Sequence, residues 1–478
     1  MSFVVEPERR IPVYMKADVV VCGGGVAGLG AAIAAARNGA NTLLIERNNA
    51  LGGDASVAGS ALLYESEGTA RGILKEMVDR MVKEYGAIPD FPVGLATTIR
   101  EMVVYEPEAL KQVALDLCEE SGVKLLLYTQ FAAPIMEGNE IMGVFIENKS
   151  GRQAVLSNVV VDCTGDADIA ARAGVPCVKG RETDNKMRPV TLYFRVGDVN
   201  FEKLKVFAEE NSDQVPRGGK TVDTERGVIY LNGFYKMVGE SVKRGELDPY
   251  LGYYLRFDNL TAGNSCRVNT TRVYNVDPTN GEDLTKAELR CRKQIKSLMN
   301  FFRKNIPGFE SAIVLETCAH IGIRESRHIR GEYILSLEDL NRRFDDAIWG
   351  HHCMWGPEWD LHDADGPEGD LNRMVKPPTV MNRYEFQVPY RCLVPKKIDR
   401  LLVAGRCISA IDFMRWETRS IESCFYTGQA SGTAAALCVE TGVLPRQLDV
   451  KKLQRKLVEQ GYFLSDTSLS FEDVSDLA

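Results

Sequence analysis

The stretch VVVCGGGVAGLGAAIAAARNGANTLLIERN, residues 19–48, joins an apolar run, a glycine-rich turn, an alanine-rich segment and a second apolar run that ends in an acid. The β-branched start predicts a buried parallel strand. Gly23, Gly25 and Gly28 then fit the pattern G-x-G-x-x-G. The first glycine permits a tight turn, the second lets a diphosphate approach the main chain, and the third lets the next helix pack close to the strand.

The start of that helix and the acid after the second strand complete a dinucleotide-binding unit. The N–H groups of Val26 and Ala27 lie where the helix dipole favours an anion. Glu46, followed by Arg47, ends the second strand, and its carboxylate can accept hydrogen bonds from the hydroxyls of an adenosine ribose. An acid here disfavours a 2′-phosphate, which argues against NADP. Glycine-rich turns also occur without a ligand, but here strand, helix, second strand and acid follow in order.

Later segments separate FAD from NAD. They are Gly52 and Gly53 in RNNALGGDAS (47–56), Thr164, Gly165 and Asp166 in VVVDCTGDADIAARAG (159–174), Gly405 and Arg406 in RLLVAGRCISA (400–410), and Gly428 in CFYTGQASGTAAAL (424–437). The last segment predicts a helix whose N-terminus stabilises an anionic reduced flavin. Ordinary packing could explain each segment alone, whereas together they predict bound FAD.

With these motifs the chain resembles the FAD-dependent oxidoreductase family related to the flavoproteins of fumarate reductase and succinate dehydrogenase. Its most specific features are Arg-Glu-Ser-Arg at 324–327 and Ala-Gly-Arg at 404–406. The resemblance implies an α/β fold with a Rossmann-like FAD-binding domain of the glutathione-reductase type. That domain is expected to be discontinuous, comprising residues 1–190 and 388–478, with an inserted α+β substrate or cap domain at 191–387.

Departures from the family pattern refine this expectation. Covalently flavinylated relatives carry a histidine soon after the Gly-Gly pair, whereas residues 54–65 contain none, so the FAD is expected to be noncovalent. A second dinucleotide motif and a cysteine pair near the first helix are also missing. Electrons are therefore expected to come from or go to the substrate itself or an unidentified external carrier. Ile411 and Asp412 stand where relatives often have a histidine.

Composition excludes several other classes of protein. The formal net charge of −8 argues against a nucleic-acid partner, because phosphate backbones attract a basic surface. No apolar run approaches the ~20 residues that span a bilayer, and the first residues lack a signal-peptide pattern. We expect a cytoplasmic protein without a membrane partner; a homo-oligomer is compatible with the sequence.

Proton transfer during flavin chemistry needs an acid or base near the substrate. The segment WGHHCMWGPEWDLHDADG (349–366) contains three of the five histidines and predicts an irregular loop with aromatic walls. The resemblance makes His362 the first candidate, with His351 and His352 as second candidates, although a structural role is an equal reading of each. A metal site that includes Asp360 lacks a recognised ligand spacing, so no metal is predicted.

Arginines are candidates for binding an anionic part of the substrate, because a guanidinium offers bidentate geometry. Arg324, Arg327 and Arg419 are the candidates, and ion pairing with Glu325 or Glu422 is the structural alternative. Further residues considered are Asn269 and Arg272 at the cleft, Tyr193 and Arg195 in strand packing, and Arg415 and Trp416 in specificity.

The sequence therefore predicts an FAD-dependent dehydrogenase, or the corresponding reductase, that moves a hydride between flavin N5 and a small polar or anionic organic molecule. Two alternatives stay open. The Thr-Gly-Asp-Ala-Asp turn at 164–168 is loosely similar to one in flavin-dependent monooxygenases. Thiazole synthases resemble the same fold, and a protein of that kind would bind a nucleotide without redox turnover.

Overall fold

The computed structural model describes residues 3–64, 70–92, 101–215, 220–223, 228–251, 254–258, 263–353, 365–367, 384–411, 413–462 and 464. Its strands are β1 Val13–Cys22, β2 Thr42–Ile45, β3 Leu62–Leu63, β4 Ile88–Pro92, β5 Glu101–Val104, β6 Lys124–Leu126, β7 Gln130–Glu137, β8 Glu140–Asn148, β9 Gly151–Asp162, β10 Cys177–Lys179, β11 Phe194–Gly197, β12 Lys220–Asp223, β13 Val228–Gly233, β14 Leu255–Asp258, β15 Cys266–Val268, β16 Ile313–Thr317, β17 Arg327–Ile329, β18 Ala347–His352, β19 Glu385–Pro389 and β20 Leu401–Val403. Its helices are α1 Val26–Arg37, α2 Gly72–Tyr85, α3 Pro107–Glu120, α4 Asp168–Arg172, α5 Phe201–Glu210, α6 Tyr235–Lys243, α7 Gly281–Asn305, α8 Met414–Glu417, α9 Ile421–Thr441 and α10 Val450–Glu459.

A parallel sheet forms the base of the molecule. Its strands follow the order β6-β2-β1-β9, and β20 joins the C-terminal half of β9. The antiparallel strands β8 and β7 continue the sheet from the other half of β9. Val19, Val20 and Val21 are completely buried because both faces of the sheet are covered, as is usual for parallel strands. The sheet brings the C-terminal ends of β1, β2, β9 and β20 to one edge.

Two helices made of small residues, α1 and α9, cross at close range on this sheet. A Cβ atom at Gly428 would lie 2.1 Å from the carbonyl oxygen of Ala27, and one at Gly432 would lie 2.0 Å from that of Ala31. On α1, a Cβ atom at Gly30 would lie 2.6 Å from the carbonyl oxygen of Phe425. The backbones therefore touch directly, which only glycine permits at these positions.

An antiparallel sheet with the strand order β12-β13-β14-β15-β11-β16 forms a second layer. It has its own core, whose buried residues lie between Val190 and Ile323. The long helix α7 packs there through Phe302, whose ring centroid lies 5.2 Å from those of Phe257 and Phe309. Asn280 caps α7 by accepting hydrogen bonds from two N–H groups of its first turn.

The predicted limits of the inserted domain, residues 191 and 387, stay a prediction. Part of that segment packs elsewhere: Phe344 and Trp349 belong to the core that also contains α1 and α9. There β18 pairs with β19 in an antiparallel ladder, and Trp349 lies against Phe386 and Tyr426 with ring centroids 5.4 Å apart in each pair. Residues of the predicted insertion thus contribute to both cores.

Within the described ranges, no helix combines the length and apolar character that crossing a bilayer requires.

The helix crossing yields a first testable prediction. Gly432→Ala should destabilise the protein by at least about 2 kcal/mol, because the new methyl group overlaps main-chain atoms that cannot move independently. Gly281→Ala is the matched control, since a Cβ atom at Gly281 meets nothing within 4 Å. Thermal unfolding of both variants checks the prediction. Equal melting temperatures would show that the crossing tolerates a side chain.

Candidate functional site

A cavity extends from the C-terminal edge of the parallel sheet to the face of the antiparallel sheet. Of the predicted cofactor residues, its wall contains Gly23, Gly25, Val26, Ala27, Glu46, Arg47, Gly53, Thr164, Gly165, Gly405 and Arg406. The wall does not contain Gly28, Gly52, Asp166 or Gly428. Of the predicted arginines, it contains Arg324 and Arg419. The cavity therefore brings segments together that are hundreds of residues apart in sequence.

The first three motif glycines differ in what surrounds them. Gly23 has a φ of +101°, and a Cβ atom there would lie 2.3 Å from the carbonyl oxygen of Cys163. A Cβ atom at Gly28 would lie 1.8 Å from the carbonyl oxygen of Gly23. At Gly25, by contrast, a Cβ atom meets nothing within 4 Å. Gly23 and Gly28 are required by packing, whereas the bare main chain at Gly25 faces open cavity.

Glu46 is held in place at the end of β2. The N–H group of Gly24 donates to its Oε2 at 2.6 Å, and the main-chain and side-chain nitrogens of Asn48 donate to its Oε1 at 2.7 Å. A carboxylate has about four acceptor positions and three are used here, so Glu46 can still accept about one hydrogen bond from a ligand in the cavity.

The second glycine turn is organised by a buried acid. Asp162 Oδ1 accepts a hydrogen bond from the hydroxyl of Thr164 at 2.7 Å. Its Oδ2 accepts hydrogen bonds from the N–H groups of Ile169 and Ala170 at 2.9 Å. Burial raises the pKa of Asp162 to about 6. These bonds orient Thr164 and the first turn of α4 beside the cavity.

Arg406 crosses this turn from β20. Its guanidinium contacts Gly165 so closely that a Cβ atom there would lie 2.7 Å from Nη1. Nη2 donates to Asp166 at 2.8 Å, and Nη1 donates to Asp54 at 3.4 Å. These interactions favour the charged guanidinium, and Arg406 is therefore a fixed cation in the cavity wall.

Arg324 is a buried cation in the wall at the other end of the cavity. Its Nη1 donates to the carbonyl oxygen of Pro189 at 2.6 Å. Across the described residues, no carboxylate lies within ion-pair distance of it. Burial, followed by the repulsion of the nearby Arg272, lowers the pKa of Arg324 well below its ordinary value.

The neighbouring predicted arginines are paired differently. Arg327 binds Asp168 and the carbonyl oxygen of Asp166. Glu325 binds Arg415 at 3.0 Å rather than Arg324. Structural ion pairing therefore accounts for Arg327 and Arg415.

A second set of predicted residues surrounds the same end of the cavity. The guanidinium of Arg419 lies over the ring of Trp416 at 4.2 Å. Arg272 donates to Asn269 Oδ1 at 3.1 Å and to the hydroxyl of Tyr254 at 2.6 Å. These contacts position the polar groups of the wall.

Tyr193 and Arg195, which the sequence assigned to strand packing, differ in position. The hydroxyl of Tyr193 accepts a hydrogen bond from Asn269 Nδ2 at 2.7 Å, and both residues line the cavity. Arg195 binds Ser265 at 3.0 Å and Glu106 at 3.4 Å, outside the cavity wall. Tyr193 is thus a site residue that its strand position did not reveal.

The structure places two of the three histidine candidates, His351 and His352, outside the cavity wall. His351 stacks on Trp349 with centroids 5.9 Å apart, and His352 Nδ1 lies 3.5 Å from Glu385. Neither lines the cavity, because both are on β18. His362 and Asp360 lie outside the described residues.

His320, which the sequence reasoning did not single out, lines the cavity instead. Its Nδ1 lies 3.1 Å from the carbonyl oxygen of Ile321. A carbonyl only accepts, so Nδ1 carries the proton and Nε2 of the neutral ring keeps its lone pair. The available signal was its place four residues before Arg324 in the sequence. No cluster of three metal-ligating side chains occurs in the described part of the chain.

Comparison with known proteins identifies the family. Residues 18–457 match the family described as FAD dependent oxidoreductase. The chain belongs to this family. It is therefore an enzyme with an FAD-binding, Rossmann-like α/β fold and a mixed parallel and antiparallel sheet, and FAD is its cofactor.

The individual relatives match only part of this chain. Digeranylgeranylglycerophospholipid reductase 2 of Methanothermobacter thermautotrophicus is 31% identical over 199 residues, which cover 38% of this chain and 51% of that protein. Thiamine thiazole synthase of Sulfolobus acidocaldarius is 31% identical over 169 residues, 34% of this chain and 60% of that protein. The chain thus spans about half the length of the curated relatives it matches.

The chain is also similar to a solved structure at low identity. The geranylgeranyl bacteriochlorophyll reductase-like protein of Thermoplasma acidophilum has 15% identity and a TM-score of 0.49, with 95% of this chain and 90% of that chain covered.

The residues of this FAD-dependent oxidoreductase fit the cofactor. The open space at Gly25 admits a diphosphate, and α1 has no acid in its first turn that would repel one. Glu46 lies at the end of the neighbouring strand and has about one acceptor position left for a ligand. The site therefore offers a cradle for the diphosphate and an acceptor for the sugar of one adenosine.

Gly25→Ala tests this cradle. The variant should fold, because its methyl group enters open space, but its affinity for FAD should fall at least about tenfold because the methyl occupies the approach to the main chain. The absorbance ratio of flavin to protein and the dissociation constant from flavin fluorescence measure the effect, with circular dichroism as the folding control. Undiminished FAD binding would place the diphosphate elsewhere.

Proposed function

We propose that this oxidoreductase dehydrogenates, or in reverse reduces, a small organic molecule that carries an anionic group. When bound, FAD supplies a carrier for hydride at N5. The proposal includes noncovalent FAD, a small-molecule substrate and an unidentified electron donor or acceptor. It also keeps two finer expectations, a glutathione-reductase-type FAD domain and kinship with the fumarate reductase flavoproteins.

The observation that carries the proposal is the isolated charge of Arg324. A buried guanidinium without a carboxylate is costly because burial removes water, and among the described residues Arg324 donates to one carbonyl oxygen. An anionic group of the substrate would offset this cost and could bind the guanidinium in bidentate geometry. Arg272 and Arg419 add positive potential nearby, which favours an anion further.

His320 is our candidate for proton transfer. Dehydrogenation removes a hydride from a carbon and a proton from the neighbouring heteroatom of the substrate. The lone pair on Nε2 of His320 can accept that proton, and the protonated ring can return it in the reverse reaction. Its place in the same wall as Arg324 supports this role over those of His351 and His352.

Two other activities predict different observations. A flavin-dependent monooxygenase would consume oxygen in proportion to product and require a reduced nicotinamide. A thiazole-synthase-like protein would retain an adenine-containing adduct in place of FAD. An anaerobic screen of small organic acids for bleaching of the flavin absorbance supports our proposal if an acid bleaches it. Bleaching only by uncharged apolar molecules would contradict it.

Arg324→Met tests the anion contact. The variant should keep FAD but raise the KM or Kd for the acid at least about a hundredfold, because a charge-assisted bidentate contact contributes about 2–3 kcal/mol. Arg324→Lys should recover only part of the affinity, since an ammonium lacks the bidentate geometry. Titration of the FAD-loaded protein measures binding. Wild-type affinity in Arg324→Met would remove this residue from the site.

Comparison of His320→Gln with His362→Ala tests which of the two histidines transfers the proton. We expect His320→Gln to keep FAD and acid binding while its kcat falls about a hundredfold or more. His362→Ala should keep most of its turnover. The reverse pattern would assign the proton transfer to His362.

A further inference from the structure

The antiparallel sheet presents a second polar contact to the cavity, apart from Arg324. Asn232 on β13 lies directly opposite Arg256 on β14 in the antiparallel register, so the two side chains share one face of the sheet. Both residues line the cavity, with only 7% and 9% of their surface exposed. They form a neighbouring pair of buried polar groups that face ligand space.

Asn232 carries an unused acceptor. Its Oδ1 is buried and accepts no hydrogen bond from any residue that the structure describes. Buried amide oxygens are nearly always paired, and leaving one unpaired destabilises a protein. A ligand group that donates a hydrogen bond would satisfy this atom.

Arg256 is a donor whose charge is partly compensated. Its Nη2 donates to the hydroxyl of Tyr64 at 3.4 Å, its guanidinium lies over the ring of Tyr230 at 5.0 Å, and its Nε is 3.5 Å from Asp258, a carboxylate that also pairs with Arg267 at 2.6 Å. Arg256 can therefore donate a hydrogen bond to a ligand group in the cavity.

We propose that Asn232 and Arg256 bind a hydroxyl group of the substrate, which is accordingly a hydroxylated carboxylic acid. A hydroxyl donates to Asn232 Oδ1 and accepts from Arg256, and so it satisfies both groups. An ionised carboxylate only accepts and would leave Oδ1 unpaired, while an apolar group would leave both unpaired. This inference rests on the proposed function, in which Arg324 binds the carboxylate.

Calorimetric titration of the FAD-loaded protein with butanoate and its positional hydroxy isomers, under anaerobic conditions, tests the inference through binding alone. At least one hydroxybutanoate should bind roughly tenfold to a hundredfold more tightly than butanoate, because a site built for a hydroxyl rejects the analogue that lacks it.

Two variants of nearly equal size assign that preference to Asn232. Asn232→Leu should bind butanoate at least as tightly as the wild type does, because no amide oxygen is then left unpaired, and should lose the preference for the hydroxy acid. Asn232→Asp keeps an acceptor oxygen and should retain the preference. FAD content and melting temperature establish that both variants are folded.

The outcomes separate this inference from the proposed function. If butanoate and its hydroxy isomers bind with equal affinity, or if Asn232→Leu keeps the preference, the hydroxyl contact is wrong while the carboxylate contact at Arg324 stands. If none of these acids binds, or if binding is unchanged in Arg324→Met, both the proposed function and this inference are overturned.

Discussion

The direct backbone contact between α1 and α9 is the constraint on which the rest of the structure depends. Ala27 lies in the first turn of α1, at the cavity wall, and its main chain is also the surface against which Gly428 packs. A Cβ atom at Gly405, which follows β20, would lie 3.0 Å from the Cβ of Ala27. Three segments far apart in sequence therefore meet at one residue. Any displacement of α9 would move the helix start that faces the diphosphate.

Electrostatics then divides the cavity into two different ends. The charge of Arg406 is balanced by Asp166 and Asp54. These ion pairs fix the position of its guanidinium and leave little uncompensated charge. Arg324 lies near other cations, and within the described part of the chain its guanidinium donates to one carbonyl oxygen. Removing or pairing this charge would lower the cost of its burial. A bound anion, as proposed, would offset the same cost.

Parts of the site formed by residues close together in sequence could be predicted from the sequence. Parts that depend on pairing between distant segments could not. The turn at Gly23 to Gly28 and the acid at Glu46 belong to one continuous unit, and their spacing alone indicates their places. The histidines at 351 and 352 were grouped by composition, but strand pairing with residues 385–389 carries them away from the cavity. His320 reaches the cavity wall because residues 191 and 322 pair as a bridge. The residues around His320 in the sequence do not indicate this pairing. The pairing of Asn232 with Arg256 likewise depends on strand register, which a single sequence does not reveal.

This division also limits which parts of the molecule can change independently. The proposed cofactor contacts come from main-chain atoms at strand and helix ends, where packing of Gly23 and Gly28 leaves no room for another side chain. The polar groups proposed to face the substrate are instead side chains on β13 and β14, whose backbone pairing survives substitution of the side chain. On this proposal, selectivity for the substrate can vary through Asn232 and Arg256 while the helix crossing and the diphosphate cradle stay intact. One cofactor site would then be compatible with different substrates.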